Sequence, residues 1–175
     1  DTVMYSTDVH VINPFRFGDL ALDDAFTDRA DEVAELAADM RNGQNVVVYA
    51  PRRYGKSSLV LRASERALAD GVLVAYCDLM KTPTKERFAS ALARTIYDDL
   101  ATPTGNILER AGSLFRGLRV KPSMELDPDT GSITFTFDAV RGRSGDIDAT
   151  IERLLELPQQ IAADRGRRAV VILDE

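Results

Sequence analysis

The sequence has a single cysteine and a single histidine in 175 residues. The lone Cys77 excludes an internal disulfide, and its place in the apolar run VLVAYC fits a buried thiol in a reducing compartment, so a cytoplasmic protein is expected. His10 has no partner set that would make a metal site or a nucleophilic triad. No run of about 18 or more apolar residues occurs, and the opening DTVMYSTDVHVINPF lacks the basic-then-apolar order of a signal peptide. Neither membrane insertion nor secretion is expected. An excess of basic residues is also missing: 22 Lys and Arg stand against 28 Asp and Glu, a formal net charge of -6. That balance argues against a nucleic-acid surface here, leaving nucleic acid as a partner only through parts outside this chain. Internal repeats and low-complexity tracts are absent.

What is present suits one domain with one sizeable core, since 45% of the residues are hydrophobic. Three short apolar runs bounded by turn residues read as buried parallel strands: 45–50 (NVVVYA), 72–78 (VLVAYCD) and 169–174 (AVVILD). None alternates, so helices are expected on both faces. Between the first two runs, Leu59, Ala63, Ala67 and Leu68 recur at helical spacing, and Gly71 is placed to end the helix. Phe88, Leu92, Ile96 and Leu100 form a second stripe, with Thr84 as its N-cap. A third helical stretch runs through Ile147, Ile151, Leu154, Leu155 and Ile161, where Pro158 is expected to kink or split it. Alternating strands and helices imply an α/β fold. Residues 119–138 break the rhythm: Val120, Met124 and Leu126, then Ile133, Phe135 and Phe137, fall at period two around the turn 127–131, predicting an inserted β-hairpin. The basic residues Arg110, Arg116, Arg119 and Lys121 before it read as a solvated surface.

The most informative segment is Ala50-Pro51-Arg52-Arg53-Tyr54-Gly55-Lys56-Ser57, a small residue, four others, then Gly-Lys-Ser. It falls where a strand ends and a helix opens, so successive backbone N–H groups and the helix N-terminus converge where an anion is stabilised. Gly55 lets the backbone approach phosphates, Lys56 neutralises their β and γ oxygens, and the Ser57 hydroxyl ligates Mg2+, with Ser58 continuing the helix start. Ala50 replaces the more usual first glycine, which asks only for ordinary backbone angles at the strand end. Arg52 and Arg53 either reach phosphate or stand in solvent, and Tyr54 is read as packing the loop.

The run AVVILDE at 169–175 ends an apolar strand in two acids. In a doubly wound sheet ligands sit at the carboxyl ends of the strands, which brings Asp174 and Glu175 toward the phosphate loop. Asp174 is expected to hold Mg2+, and Glu175 to polarise the attacking water as general base. Asp78 either orients water or caps the turn that follows it. No Asp-x-x-Gly or Asn/Thr-Lys-x-Asp occurs, so ATP is favoured over GTP, and the dinucleotide pattern Gly-x-Gly-x-x-Gly is absent.

Three stretches, Phe26-Thr-Asp-Arg29-Ala-Asp-Glu32, the loop APRRYGKSSL at 50–59 and VVILDE at the end, resemble the archaeal-type P-loop ATPases allied to the STAND and AAA+ groups. The resemblance covers most of residues 13–175. It implies a three-layer α/β/α parallel sheet, a core over 26–175 behind an N-terminal extension at 1–25, and an insertion at about 103–145 that holds the hairpin. It further implies that Phe26 and Arg29 border the adenine, although helix packing through Val33, Leu36 and Met40 explains part of that pattern. The family's sheet order, five-one-four-three-two, would place one more strand between the first and third runs, after Glu175, where the sensor residue and lid also belong. The implied activity is Mg-dependent ATP hydrolysis coupled to conformational change. An ATP-dependent oligomerising switch or scaffold with a protein partner and little turnover is the second reading, and a DNA-handling initiator-type ATPase the third.

Overall fold

The computed structural model describes residues 29–101, 107–138 and 144–174. Phe26 and Glu175 lie outside them, as do the N-terminal extension and parts of the expected insertion.

Helix α1, Ala30–Asn42, buries Leu36, Ala37 and Met40, three positions that share one face. It stops at Gly43, whose left-handed φ of 73° lets its N–H and that of Gln44 close on the carbonyls of Met40 and Asp39. Helix α2, Lys56–Ala69, lies against α1 through Leu59, Ala63 and Ala67. Leu68 does not join that face; it is half exposed, because Ala67 already occupies the stripe and its neighbour is turned about 100° away. Gly71 turns the chain out of α2 at φ 89°, and the Val72 N–H returns to the Ala67 carbonyl.

Strand β1, Leu73–Asp78, pairs in parallel with β4, Ala169–Asp174, in the register Leu73↔Ala169 through Asp78↔Asp174. Helices cover both faces of this pair. Val74, Val170 and Ile172 pack on α1 and α2, while Leu73, Ala75, Ala169 and Val171 pack on the larger core. That core is built from α3 (Lys85–Thr95), α4 (Ile107–Leu114) and α5 (Ser144–Asp164), with Leu92, Ile96, Leu100 and Leu154 fully buried. Thr84 caps α3 by accepting from the Arg87 N–H at 3.3 Å. The helical stripe continues through a single π-helical turn, Ile96–Leu100, that keeps Ile96, Tyr97 and Leu100 inward. Pro158 does not split α5, which is unbroken over 21 residues. Proline removes one backbone hydrogen bond, and the buried Leu154 and Leu157 hold the turn around it.

Strands β2 (Ser123–Leu126) and β3 (Ile133–Thr136) pair antiparallel, Met124 opposite Phe135. Only β3 faces the core, through Ile133 and Phe135, followed by Phe137; Met124 and Leu126 stay in part exposed. Asp127 organises the turn by accepting from the N–H groups of Asp129 and Thr130.

The run at 45–50 is not a strand. Extended propensity alone does not make one; a strand needs a ladder partner, and no described strand pairs with it. Val47 is 90% and Tyr49 95% exposed. Between this run and β4 opens a cleft of about 1130 Å³, lined by Val46, Val48, Val60, Val171 and Leu173 and by Pro158 of α5. No described helix is long and apolar enough to cross a membrane.

Candidate functional site

Gly55 is the N-cap of α2 at φ 71°, ψ 26°, a left-handed conformation that a glycine adopts without the Cβ clash. Arg53, two residues earlier, takes φ 67° with a side chain, a strained conformation of the kind found where a loop is shaped around something. The loop is closed by the Tyr54 N–H on the Pro51 carbonyl at 3.2 Å, and the helix begins with the Leu59 N–H on the Gly55 carbonyl at 2.9 Å. The half-buried Lys56 reaches back over this loop, its Nζ donating to the Ala50 carbonyl at 3.1 Å. Ser57 is half-buried beside it, and Ser58 is buried beneath the helix.

Arg52, Arg53 and Tyr54 are all exposed. Tyr54 therefore does not pack the loop: 66% of it is in solvent, and what it contributes is its carbonyl, which accepts from Arg29 Nη1 at 2.9 Å. Arg29 also holds Glu32 through two hydrogen bonds, and that donation keeps the Glu32 carboxyl below its ordinary range. The residue ahead of α1 is thus tied to the loop ahead of α2. A tether between loop and upstream helix is the role of Arg29 in this geometry.

At the far side of the loop stands the end of the sheet. Position parity along β1 and β4 sends Val74, Tyr76, Val170, Ile172 and Asp174 to the face covered by α2. The last two of these that reach past the apolar contact are Tyr76 and Asp174, and Tyr76 Oη donates to Asp174 Oδ2 at 2.5 Å. The Ser57 hydroxyl approaches the same phenol. Ser57 on α2 and Asp174 on β4, 117 positions apart in chain numbering, thus share one neighbour, contributed by the strand between them. Burial, and then the Asp174 carboxylate, push the phenol well above its ordinary ionisation range, so it remains a protonated donor.

Asp78, at the end of β1, caps its turn: its Oδ1 accepts from the Met80 N–H at 2.9 Å. Cys77 is a buried thiol. Tyr76 was invisible to motif reading because an aromatic residue inside an apolar run looks like core. The signal lay in parity, since Tyr76 occupies the same alternate face as the strand-end acid once the two runs are set in parallel.

No protein-family model, curated protein or solved structure matches the chain.

Proposed function

We propose that this chain carries an ATP site of the P-loop type that hydrolyses ATP in a magnesium-dependent reaction coupled to conformational change. The observation that carries the reading is the convergence of Ser57, at the first turn of α2, with Asp174, at the carboxyl end of β4, around one phenol and beside the Gly55–Lys56 turn. Backbone N–H groups at a helix N-terminus favour an anion, and Lys56, whose Nζ lies over the loop at the Ala50 carbonyl, adds a cation beside them. A phosphate chain laid there would run from the helix start toward Asp174.

One hydroxyl and one carboxylate, completed by phosphate oxygens and water, suit magnesium, and the donor set of Ser57 and Asp174 is of that kind. Bound there, the ion would supply charge neutralisation at the transferring phosphoryl group. Glu175, the next residue, is the proposed base for water. Phe26 and Arg29 are proposed at the adenine side, and Arg52 and Arg53 line the loop.

The finer fold belongs to the same proposal. A six-residue strand between neighbours fills a slab on the order of 950 Å³, from a rise of about 3.3 Å per residue, a 4.8 Å strand spacing and a 10 Å layer. The cleft between 45–50 and β4 has that capacity, and its walls carry the valines such a strand packs on, in support of a P-loop order with one more strand there. Self-assembly and a protein partner are proposed on the resemblance alone.

Calorimetric titration with ATP and Mg2+ tests the reading. Lys56→Ala is expected to weaken binding by about 1.5–3 kcal/mol, roughly 10- to 150-fold, the range for losing a hydrogen bond to a charged group. Failure of the unaltered protein to bind any nucleotide would refute it. Binding without turnover that Glu175→Gln fails to change would favour the switch over the hydrolase.

A further inference from the structure

Tyr76 belongs to no motif, yet it is the side chain on which the two proposed magnesium ligands meet. We infer that Tyr76 is a positioning residue of this site: by donating to Asp174 Oδ2 beside Ser57, its hydroxyl sets the orientation of the carboxylate that receives the cation. This rests on the reading of Ser57 and Asp174 as the metal side of a nucleotide site.

The need for such a residue follows from where Asp174 sits. It closes β4, whose only described ladder partner is β1, and the preceding Leu173 is 48% exposed. A carboxylate at the end of such a strand has two side-chain torsions free unless something fixes them. The ring of Tyr76 is anchored on the opposite strand, in register with Ile172, and its backbone N–H is held by Asp99 at 3.1 Å. The hydroxyl therefore commits Oδ2 from a rigid base and leaves Oδ1 as the oxygen that turns toward a cation. Partners that orient a ligand in this way typically change metal affinity by about 10- to 100-fold when removed.

The test is the Mg2+ dependence of ATP binding in the whole chain, followed by titrating MgCl2 into protein with ATP and, separately, by titrating ATP in EDTA. Tyr76→Phe keeps the ring and removes only the hydroxyl. It is expected to raise the Mg2+ concentration needed for tight ATP binding by about 10-fold or more, with ATP affinity in EDTA unchanged. Combined with Asp174→Asn, the same change is expected to add nothing further, because the two act through one contact. An equal loss in EDTA would make Tyr76 a general structural residue and overturn the inference. So would an unaltered Mg2+ requirement while Lys56→Ala still weakens ATP binding, and in that case the nucleotide reading itself stands. If the unaltered chain binds ATP in neither condition, the reading falls and the inference with it.

Discussion

Phe135 is the residue whose loss the fold should feel most sharply for its size of element, because a four-residue strand delivers it to the centre of the larger core. It is 3% exposed and stands edge-on to Tyr97 at 5.5 Å and to Phe115 at 5.1 Å between ring centroids. Deleting a buried phenylalanine side chain costs about 3–5 kcal/mol, the sum of lost transfer energy and the cavity left behind. Two edge-to-face pairs at about 0.5–1.5 kcal/mol each account for roughly 1–3 kcal/mol of that. Phe135→Ala should therefore lower the melting temperature by roughly 6–20 °C, at about 2–4 °C per kcal/mol for a chain of this size. Phe135→Leu, which keeps most of the apolar volume and loses the rings, should fall between the two. Met124 is its direct cross-strand partner, yet that side chain is 36% exposed, so Met124→Ala should stay within about 1 kcal/mol of the unaltered protein. Urea unfolding followed by far-ultraviolet circular dichroism reads all three, with the slope held constant and only the midpoint moving. Equal losses for Phe135→Ala and Met124→Ala would refute the placement of the core on β3 alone.

Thr84→Ala removes the side-chain cap of α3 and should cost about 1 kcal/mol, seen as a melting temperature lower by roughly 2–4 °C; no change would mean that the cap bond is not made in solution. Asp99 carries the pH prediction. The residue as a whole is exposed, but its carboxyl group turns back on β1, where partial burial raises its ionisation above the ordinary carboxylate range. A raised value means the native state binds the proton more tightly than the unfolded chain, so the stability linked to this group is full at low pH and is lost as pH rises through the folded value. Asp99→Asn, which can still accept from the Tyr76 N–H, should be more stable than the unaltered protein near about pH 7, with the gap closing toward about pH 3. A gap that widens on acidification would reverse the sign and refute the assignment.

Much of this architecture was legible in residue patterns, and the failures share one cause. Leu59, Ala63 and Ala67 announced the buried face of α2, Thr84 announced the start of α3, and the unalternating runs at 72–78 and 169–174 announced strands covered on both faces. Those are local or one-element properties. The run at 45–50 shares the apolar character of β1 and β4 and yet forms no ladder with a described strand, because strand formation depends on a neighbouring edge that no local pattern encodes. Leu68 stays off the buried face, and Pro158 leaves α5 unsplit, for the related reason that packing, here the prior claim of Ala67 and the grip of Leu154 and Leu157, decides what propensity only suggests. In the candidate site, the loop from Ala50 to Ser57 and the acid at 174 were candidates picked out by spacing. Tyr76 was not, since its meaning arises only when β1 and β4 lie side by side.

The bond between Tyr76 and Asp174 joins residues 98 positions apart, and this has a bearing on time as well as geometry. A parallel pair of such separation is among the last contacts a chain can close, because the ordering of everything between must come first. The loop at 50–57 and α2 are contiguous and can form early, whereas the acid arrives with the last described strand. A growing or half-folded chain would thus hold Ser57 and Tyr76 before Asp174 reaches them, and the proposed site would gain its acid only when β4 docks.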